Sequence, residues 1–166
     1  MAETEQTEFD PTDPAHAEAG GDTATATIPQ REPAKPDAGG FIWGTGRRKS
    51  AVARVRIRKG EGKFQINGKE VADYFSEPQD QEACHAPLKA TNMAGQFDVF
   101  VNAHGGGITG QAEAVLLGLA RALSNYDPAL EPMLRDRQYL TRDPRETERK
   151  KYGQPGARKK FQFSKR

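Results

Sequence analysis

The last 18 residues of the chain, residues 149–166, constrain the fold most because they cannot become part of a folded core. They contain eight Lys or Arg residues and no Asp or Glu, which gives a formal charge of +8. No apolar face recurs at the period of a helix or a strand, and Gly153, Pro155 and Gly156 interrupt any helix. Such a segment buries too little surface to offset the entropy of folding. Because residues 141–145 are already polar, the sequence predicts a long extended basic tail over residues 141–166.

This tail has two possible roles, and its charge alone does not decide between them. Tyr152, Phe161 and Phe163 lie between the cations. A polycation with interspersed aromatic rings suits RNA, because the cations can neutralise phosphates while the rings stack on exposed bases. The alternative is a disordered tail that only keeps the protein soluble.

The first 40 residues differ in charge from the rest of the chain. They contain nine acids and two basic residues, whereas residues 41–166 contain 23 basic residues and 14 acids. Five prolines and few large apolar side chains predict a disordered acidic extension over residues 1–40. The favoured interpretation is a solvated segment without a specific site, and the alternative is a shield that keeps wrong polyanions off the basic body. The basic body itself indicates a nucleic acid or an anionic membrane as partner.

The sequence predicts a cytoplasmic protein without a membrane partner. Its N-terminus is acidic and lacks the apolar run of a signal peptide, and no stretch approaches the length of a membrane span. Cys84 is the only cysteine, so an internal disulfide is impossible, which fits a reducing compartment.

Residues 41–140 are expected to form a globular α+β body, and its clearest element is a strand over residues 50–58. Apolar residues alternate along this strand with Arg54, Arg56 and Arg58, so one face can pack on a core while the other carries three guanidinium groups. Like charges in a row repel one another unless an anion neutralises them, and guanidinium groups suit phosphate. Together with the upstream residues Arg47, Arg48 and Lys49, the strand indicates nucleic-acid binding.

The remaining patterns complete the α+β assignment. Gly60-Glu61-Gly62 predicts a turn that pairs the first strand with residues 63–66 as a hairpin, which ends at Asn67-Gly68. Residues 97–102 alternate as another strand. Apolar spacing predicts helices at residues 71–75, 79–92 and 112–123, with Thr109 as N-cap of the long one, and a short amphipathic piece over residues 130–134.

A glycine-rich loop, His104-Gly105-Gly106-Gly107-Ile108-Thr109-Gly110-Gln111, connects the strand at 97–102 to the long helix. The dinucleotide motif G-x-G-x-x-G is matched in letters, but no second strand with an acid follows at the required distance. The spacing also fits an NTP-binding loop, yet Gln111 and Ala112 stand where Lys and Ser or Thr are required. Two interpretations remain: a site where backbone N–H groups hold an RNA phosphate, which three consecutive glycines favour, and a tight turn that needs glycine dihedrals.

The sequence offers no catalytic or metal motif. Cys84 and His85 are adjacent, so on a helix their side chains diverge by about 100° and do not face each other. His16, His85 and His104 are far apart in sequence and lack the cysteines of a metal site. We therefore expect no cofactor, no metal, no small-molecule substrate and no enzymatic activity.

Four segments, in order, resemble the small-subunit ribosomal protein number nine family in its bacterial form. They are GTGRRKSAVARVRI at 44–57, NAHGGGITGQAEA at 102–114, RALSNYDPAL at 121–130, and TRDPRETERKKYG at 141–153 followed by the terminal FSKR. The resemblance covers about residues 41–166. It implies a compact four-stranded sheet with packed helices, of the type found in the second domain of ribosomal protein number five.

The resemblance also implies partners. These are the 3′ major domain of small-subunit ribosomal RNA, neighbouring proteins of the small-subunit head, and P-site tRNA, which the end of the tail would reach through Ser164, Lys165 and Arg166. Within the tail, Gln154-Pro155-Gly156-Ala157 departs from the family's more basic pattern. The predicted contacts with ribosomal RNA are Arg47, Arg48, Lys49, Arg54, Arg56, Arg58, Gly105, Gly106, Gly107, Thr109, Gln111, Arg142, Arg145, Arg149, Lys150, Lys151, Arg158, Lys159 and Lys160.

Two other functions stay open at this point. One is a nucleotide or nucleic-acid enzyme that uses the glycine loop, which ATP binding or turnover would support. The other is an RNA-binding regulator that works apart from the ribosome, which sedimentation would distinguish from a ribosomal protein.

Overall fold

A computed structural model of the chain describes residues 32–164, and these form a mixed β-sheet with helices packed on one face. The predicted α+β class is confirmed. The strands are β1 (Ile42–Arg48), β2 (Ala51–Lys59), β3 (Phe64–Ile66), β4 (Lys69–Glu70) and β5 (Phe97–His104). The helices are α1 (Val71–Tyr74), α2 (Pro78–Ala90), α3 (Ile108–Tyr126) and α4 (Glu131–Asp136), and a 3₁₀ turn at Pro128–Leu130 precedes α4.

The sheet has five strands and not the four expected, in the order β1-β2-β5-β3-β4. The additional strand, β4, contains two residues that pair with β3 across the turn at Asn67 and Gly68, both of which have positive φ. Two residues are too few to show an alternating pattern, so this strand could not be predicted from the sequence.

The predicted hairpin between residues 50–58 and 63–66 is wrong, because β5 lies between β2 and β3. The carboxylate of Asp98, near the start of β5, accepts hydrogen bonds from the backbone N–H groups of Glu61 (3.0 Å) and Lys63 (3.1 Å). A side chain at Gly60 would lie 2.2 Å from Asp98 Cγ. The loop after β2 therefore crosses Asp98, and β3 pairs with the far side of β5 in parallel orientation.

The core lies between the sheet and α3. Ala51, Ala53, Val55 and Ile57 of β2 are all buried there, as the alternating pattern predicted. The backbone of helix α3 packs directly against the backbone of β1. A Cβ atom on Gly44 would lie 2.2 Å from the carbonyl oxygen of Gly118, and a Cβ atom on Gly46 would also clash with the backbone of α3. Only glycine fits such a close approach of two backbones.

Two side chains of α3 reach the outer edge of β1. Arg121 donates a hydrogen bond to the carbonyl oxygen of Thr45 (2.7 Å), and Asn125 donates one to that of Trp43 (3.0 Å). Because β1 is the first strand of the sheet, these carbonyl groups have no partner strand on that side. Side chains of the helix replace the missing strand there.

Helix α3 begins two residues earlier than the predicted cap allows. Gly107 is the N-cap, and Thr109 lies inside the first turn without a capping hydrogen bond, so the predicted cap is wrong. The other predicted helices agree with α1, α2 and α4 to within a few residues at each end. Within residues 32–164, no helix has the length and apolar character needed to span a membrane.

Candidate nucleic-acid interface

The outer face of the sheet, opposite the helices, carries the predicted arginines of β2. Arg54 and Arg58 are exposed and Arg56 is half-buried, while the alternate residues of the strand are in the core. Successive residues on one face of a strand lie about 6.6 Å apart, so the three guanidinium groups form a row. We call this surface, with its neighbours on β1 and β5, the open sheet face.

Asp98, which the sequence pattern of β2 could not indicate, forms an ion pair with one of these arginines. Asp98 stands opposite Arg58 in the register of β2 and β5, and Arg58 Nη2 lies 3.3 Å from its Oδ2. The hydrogen bond from the backbone N–H of Lys63 lowers the pKa of Asp98 below its usual value. The backbone N–H of Glu61 and the side chain of Arg58 lower it further. Within residues 32–164, Arg54 and Arg56 have no carboxylate within 4 Å, so they remain available to an anion.

Aromatic rings lie between the arginines, and the sequence alone did not identify them as part of the interface. The Cζ atom of Arg56 lies 5.3 Å from the ring centre of Phe41, 5.9 Å from that of Trp43 and 5.5 Å from that of Phe100. Arg54 lies 5.8 Å from Trp43. These are distances at which guanidinium groups attract aromatic faces, so the rings help to hold the arginines in position. The alternation of β1 would have placed Trp43 on this face, but the glycines of β1 hid that alternation.

Arg48, predicted as an RNA contact, points to the other side of β1. Its side chain is 11% exposed and forms ion pairs with Glu113 of α3 and with Asp143, whose Oδ2 lies 2.7 Å from Arg48 Nη1. The backbone N–H of Arg145 and the charge of Arg48 lower the pKa of Asp143. Arg48 thus connects the body to the first residues of the tail, whereas its neighbour Arg47 is exposed.

The glycine loop lies against the turn between β1 and β2, where Lys49 is exposed with a φ of 52°. Gly105 and Gly106 have positive φ, and a Cβ on Gly105 would lie 2.5 Å from the carbonyl oxygen of Ser50. The turn geometry therefore explains these two glycines without any ligand. Gly107 differs, because a Cβ there would meet nothing within 4 Å, so the N-terminus of α3 is accessible.

Gln111 holds the loop in place through hydrogen bonds. Its Nε2 donates to the carbonyl oxygen of Gly105 (2.9 Å), and its Oε1 accepts from the hydroxyl of Tyr74 (2.6 Å). Asn67 in turn donates to Tyr74 and to the carbonyl oxygen of Ala103. Of the predicted loop contacts, Gln111 is engaged in this network, while Thr109 is exposed.

The described part of the tail, residues 141–164, has no regular secondary structure, and a contact between residues ten positions apart shows that it is bent. Arg158 meets Glu148, ten residues upstream, with Nη2 and Oε1 2.5 Å apart. Lys151 lies 3.9 Å from the same carboxylate, and Arg142 and Arg145 also have acids within 4 Å. Four tail cations have no carboxylate within 4 Å in residues 32–164: Arg149, Lys150, Lys159 and Lys160. Ser164 is exposed, and Lys165 and Arg166 lie outside the described residues.

The described residues contain no arrangement suited to catalysis. Burial raises the pKa of the Cys84 thiol to about 12, so it is not a nucleophile at neutral pH. His85 packs edge-on against Phe64. No group of three His, Cys, Asp or Glu side chains within residues 32–164 is placed to hold a metal ion.

The sequence matches a family and several curated relatives. The sequence model of the family described as ribosomal protein S9/S16 matches residues 46–166. Small ribosomal subunit protein uS9 of Maridesulfovibrio salexigens is 54% identical over 126 residues, which cover 76% of this chain and 97% of the relative. The proteins of the same name from Thermotoga petrophila and Thermotoga maritima are each 54% identical over 127 residues, covering 75% of this chain and 95% of the relative.

Proposed function

The chain belongs to the ribosomal protein S9/S16 family, and from this we propose that it is a constituent of the small-subunit head that binds ribosomal RNA. The observation that carries the proposal is 54% identity over nearly the full length of small-subunit relatives. The family consists of structural proteins of the ribosome and is not an enzyme family, which confirms the expectation that the chain is not an enzyme.

The open sheet face supports RNA as the partner. Arg54 and Arg56 stand on a fixed strand without a neighbouring carboxylate among the described residues, and Arg47 and Lys49 continue the positive charge toward the glycine loop. Phosphate groups are the natural ligands of such a surface, because guanidinium groups bind them in a planar, bidentate way. We assign the phosphate contacts of the body to these cations and to the accessible backbone at Gly107.

The tail supplies the second part of the proposed interface. Its free cations would neutralise phosphates of the 3′ major domain, and Ser164, Lys165 and Arg166 at its end would contact P-site tRNA. The support for the tRNA contact is the terminal FSKR sequence, which resembles the family ending. Neighbouring proteins of the subunit head complete the set of partners, and the proposed location is the ribosome in the cytoplasm.

The proposed organisation follows the expected boundaries: an extension over residues 1–40, a body over 41–140 and a tail over 141–166. Residues 1–31 lie outside the described residues. In the segment that follows them, the N–H of Ala34 donates a hydrogen bond to the carbonyl oxygen of Asn125 (2.8 Å), so the end of the extension contacts α3.

Sedimentation of a cell lysate tests the proposal directly. The chain, detected by a tag, should migrate with the small subunit in a one-to-one ratio and remain there after a high-salt wash. A salt-resistant complex is expected because many contacts must release together. Recovery at the top of the gradient, with intact ribosomes below, would contradict the proposal and favour a free RNA-binding regulator.

A further inference from the structure

The open sheet face carries aromatic rings that phosphate binding does not require. Phe41, Trp43 and Phe100 lie among the arginines, and Trp43 keeps 40% of its surface exposed. Phosphates need cations, whereas exposed rings gain most from contact with another flat, apolar surface. Holding the arginines in position accounts for the half-buried rings, whereas the exposed surface of Trp43 indicates a ligand that offers more than its phosphates.

The strand register places these side chains in two adjacent rows that run across the sheet, perpendicular to the strands. Trp43 of β1 stands opposite Arg56 of β2, which stands opposite Phe100 of β5. In the next row, Thr45 stands opposite Arg54, which stands opposite Asn102. Strands lie about 4.8 Å apart, so each row spans roughly 10 Å across the sheet.

The two rows differ in what they leave accessible. In the first row, Arg56 is half-buried against three rings, and two of these rings, Phe41 and Phe100, are themselves half-buried. At its end, Trp43 stays exposed, and beside it Thr45, Arg54 and Asn102 of the second row are all exposed. An accessible indole ring thus lies next to a planar cation, a hydroxyl group and a carboxamide.

This combination suits an unpaired nucleobase. The base can stack on the indole or on the guanidinium plane of Arg54, and the hydroxyl and amide groups can form hydrogen bonds with its edge. A base within a duplex is already stacked on both sides and cannot make these contacts.

We propose that the open sheet face binds a single-stranded stretch of RNA, with one nucleobase stacked on Trp43 beside Arg54. The proposal rests on the proposed function, because it takes RNA as the partner and specifies its unpaired bases. Thr45 and Asn102 would contact the edge of the stacked base.

The chain allows a direct test because Trp43 is its only tryptophan. Indole fluorescence of the full chain is measured during titration with a single-stranded oligoadenylate of about 12 nucleotides and with a duplex of equal length. Binding is followed in parallel by the anisotropy of labelled RNA at one fixed salt concentration, because affinity depends on salt. The proposal expects quenching by the single strand and none by the bound duplex.

Variants separate stacking from charge. Trp43→Leu should weaken binding of the single strand by about tenfold and leave duplex binding unchanged. Trp43→Phe, which keeps a ring, should retain most of the affinity and excludes loss of folding as the cause. Tyr152→Leu is the matched control, because its ring is fully exposed in the tail and its loss should leave the quenching of Trp43 intact.

The outcomes distinguish this proposal from the proposed function. RNA binding without quenching, or equal effects of Trp43→Leu on the single strand and the duplex, would overturn the stacking site while leaving RNA binding in place. Failure of the full chain to bind either RNA would count against the proposed function itself.

Discussion

The open sheet face and the tail combine the same residue types in opposite ways. On the face, the guanidinium groups of Arg54 and Arg56 lie within 6 Å of aromatic rings and stand on strands that fix their spacing. In the tail, Tyr152 and Phe163 are almost fully exposed, and the chain between the cations has no regular structure. The comparison shows that similar composition can produce either a surface with fixed spacing between its side chains or a segment without regular secondary structure.

This difference assigns different energetic roles to the two regions. A fixed surface loses little conformational freedom on binding, so its contacts contribute to the choice of ligand. An irregular basic segment loses more freedom, but it can follow the phosphates over a long distance and release many counterions. We therefore expect the tail to dominate the salt dependence of RNA binding and the face to dominate discrimination between RNA shapes.

Removal of residues 149–166 should have the largest effect. The slope of log K against log salt should flatten by up to roughly six units for single-stranded RNA if all eight lost cations contact phosphates, and by less if Arg158 and Lys151 stay paired with Glu148. Equilibrium binding at several salt concentrations measures the slope. A control in which Tyr152, Phe161 and Phe163 are replaced by Leu keeps all charges and should keep the slope. An unchanged slope after the truncation would show that the tail does not touch the RNA backbone.

The double variant Arg54→Ala/Arg56→Ala should have the next largest effect. It removes two cations, so the salt slope should fall by only about 1.4 units for single strands. Binding experiments with single-stranded and duplex RNA should also show a loss of preference for the single strand. Arg142→Ala/Arg145→Ala is the matched control, because it removes two tail cations without touching the face. If both double variants changed the preference equally, the distinction between the two regions would fail.

Asp98→Asn should strengthen RNA binding while it lowers stability. Without the carboxylate, Arg58 is free for phosphate, and the salt slope should steepen by about 0.7 units. Because the folded state lowers the pKa of Asp98, the carboxylate stabilises the protein above its ordinary pKa, and this stabilisation is lost as the pH falls through the folded value. Thermal melts across pH should therefore show a deficit of the variant at neutral pH that shrinks in acid. A constant deficit would contradict this account.

Glu148→Gln should have a smaller effect, confined to the tail. It releases Arg158 and Lys151 from an exposed carboxylate, and exposed ion pairs contribute only about 0.2–1 kcal/mol. The salt slope should steepen by less than one unit, and the melting temperature should not change. Glu146→Gln, which frees only Arg142 from a distance of 3.7 Å, is the control. A large fall in melting temperature would show that the bend of the tail supports the body.

Arg48→Ala should leave the salt slope unchanged, since its charge is already paired with Glu113 and Asp143. Limited proteolysis should instead cut near residue 143 several times faster, because the beginning of the tail is released from the body. Arg47→Ala, the exposed neighbour, should show the reverse pattern. A slope reduced by about 0.7 units in Arg48→Ala would support the direct RNA contact predicted from the sequence.

The sequence predicted those parts of the fold that depend on local pattern. The alternation of residues 51–58 placed the arginines of β2 on one face and the apolar residues in the core, since the period of a strand is fixed by its backbone. The position of β3 beyond β5 and the pairing of Asp98 with Arg58 depend on which strands meet, and residues 40 positions apart carry no local sign of that pairing.

The inward orientation of Arg48 could have been predicted from its position in β1, but the basic composition of residues 47–49 hid it. Arg47, Arg48 and Lys49 look equivalent as a basic cluster, yet neighbours on a strand point to opposite faces. Counting in twos from the buried Ile42 places Gly44, Gly46 and Arg48 on the inner side of β1. Because glycine does not count as apolar in such patterns, the strand was not recognised.

The hydrogen bonds from Arg121 and Asn125 to the carbonyl groups of β1 also matter when the protein is alone. A strand at the edge of a sheet can recruit a strand from another molecule, which is a common start of aggregation. Here side chains of α3 occupy two carbonyl groups of β1 at one edge, and β4 at the opposite edge is only two residues long. Before any partner binds, the two edges of the sheet in residues 32–164 therefore offer other molecules little backbone for strand pairing.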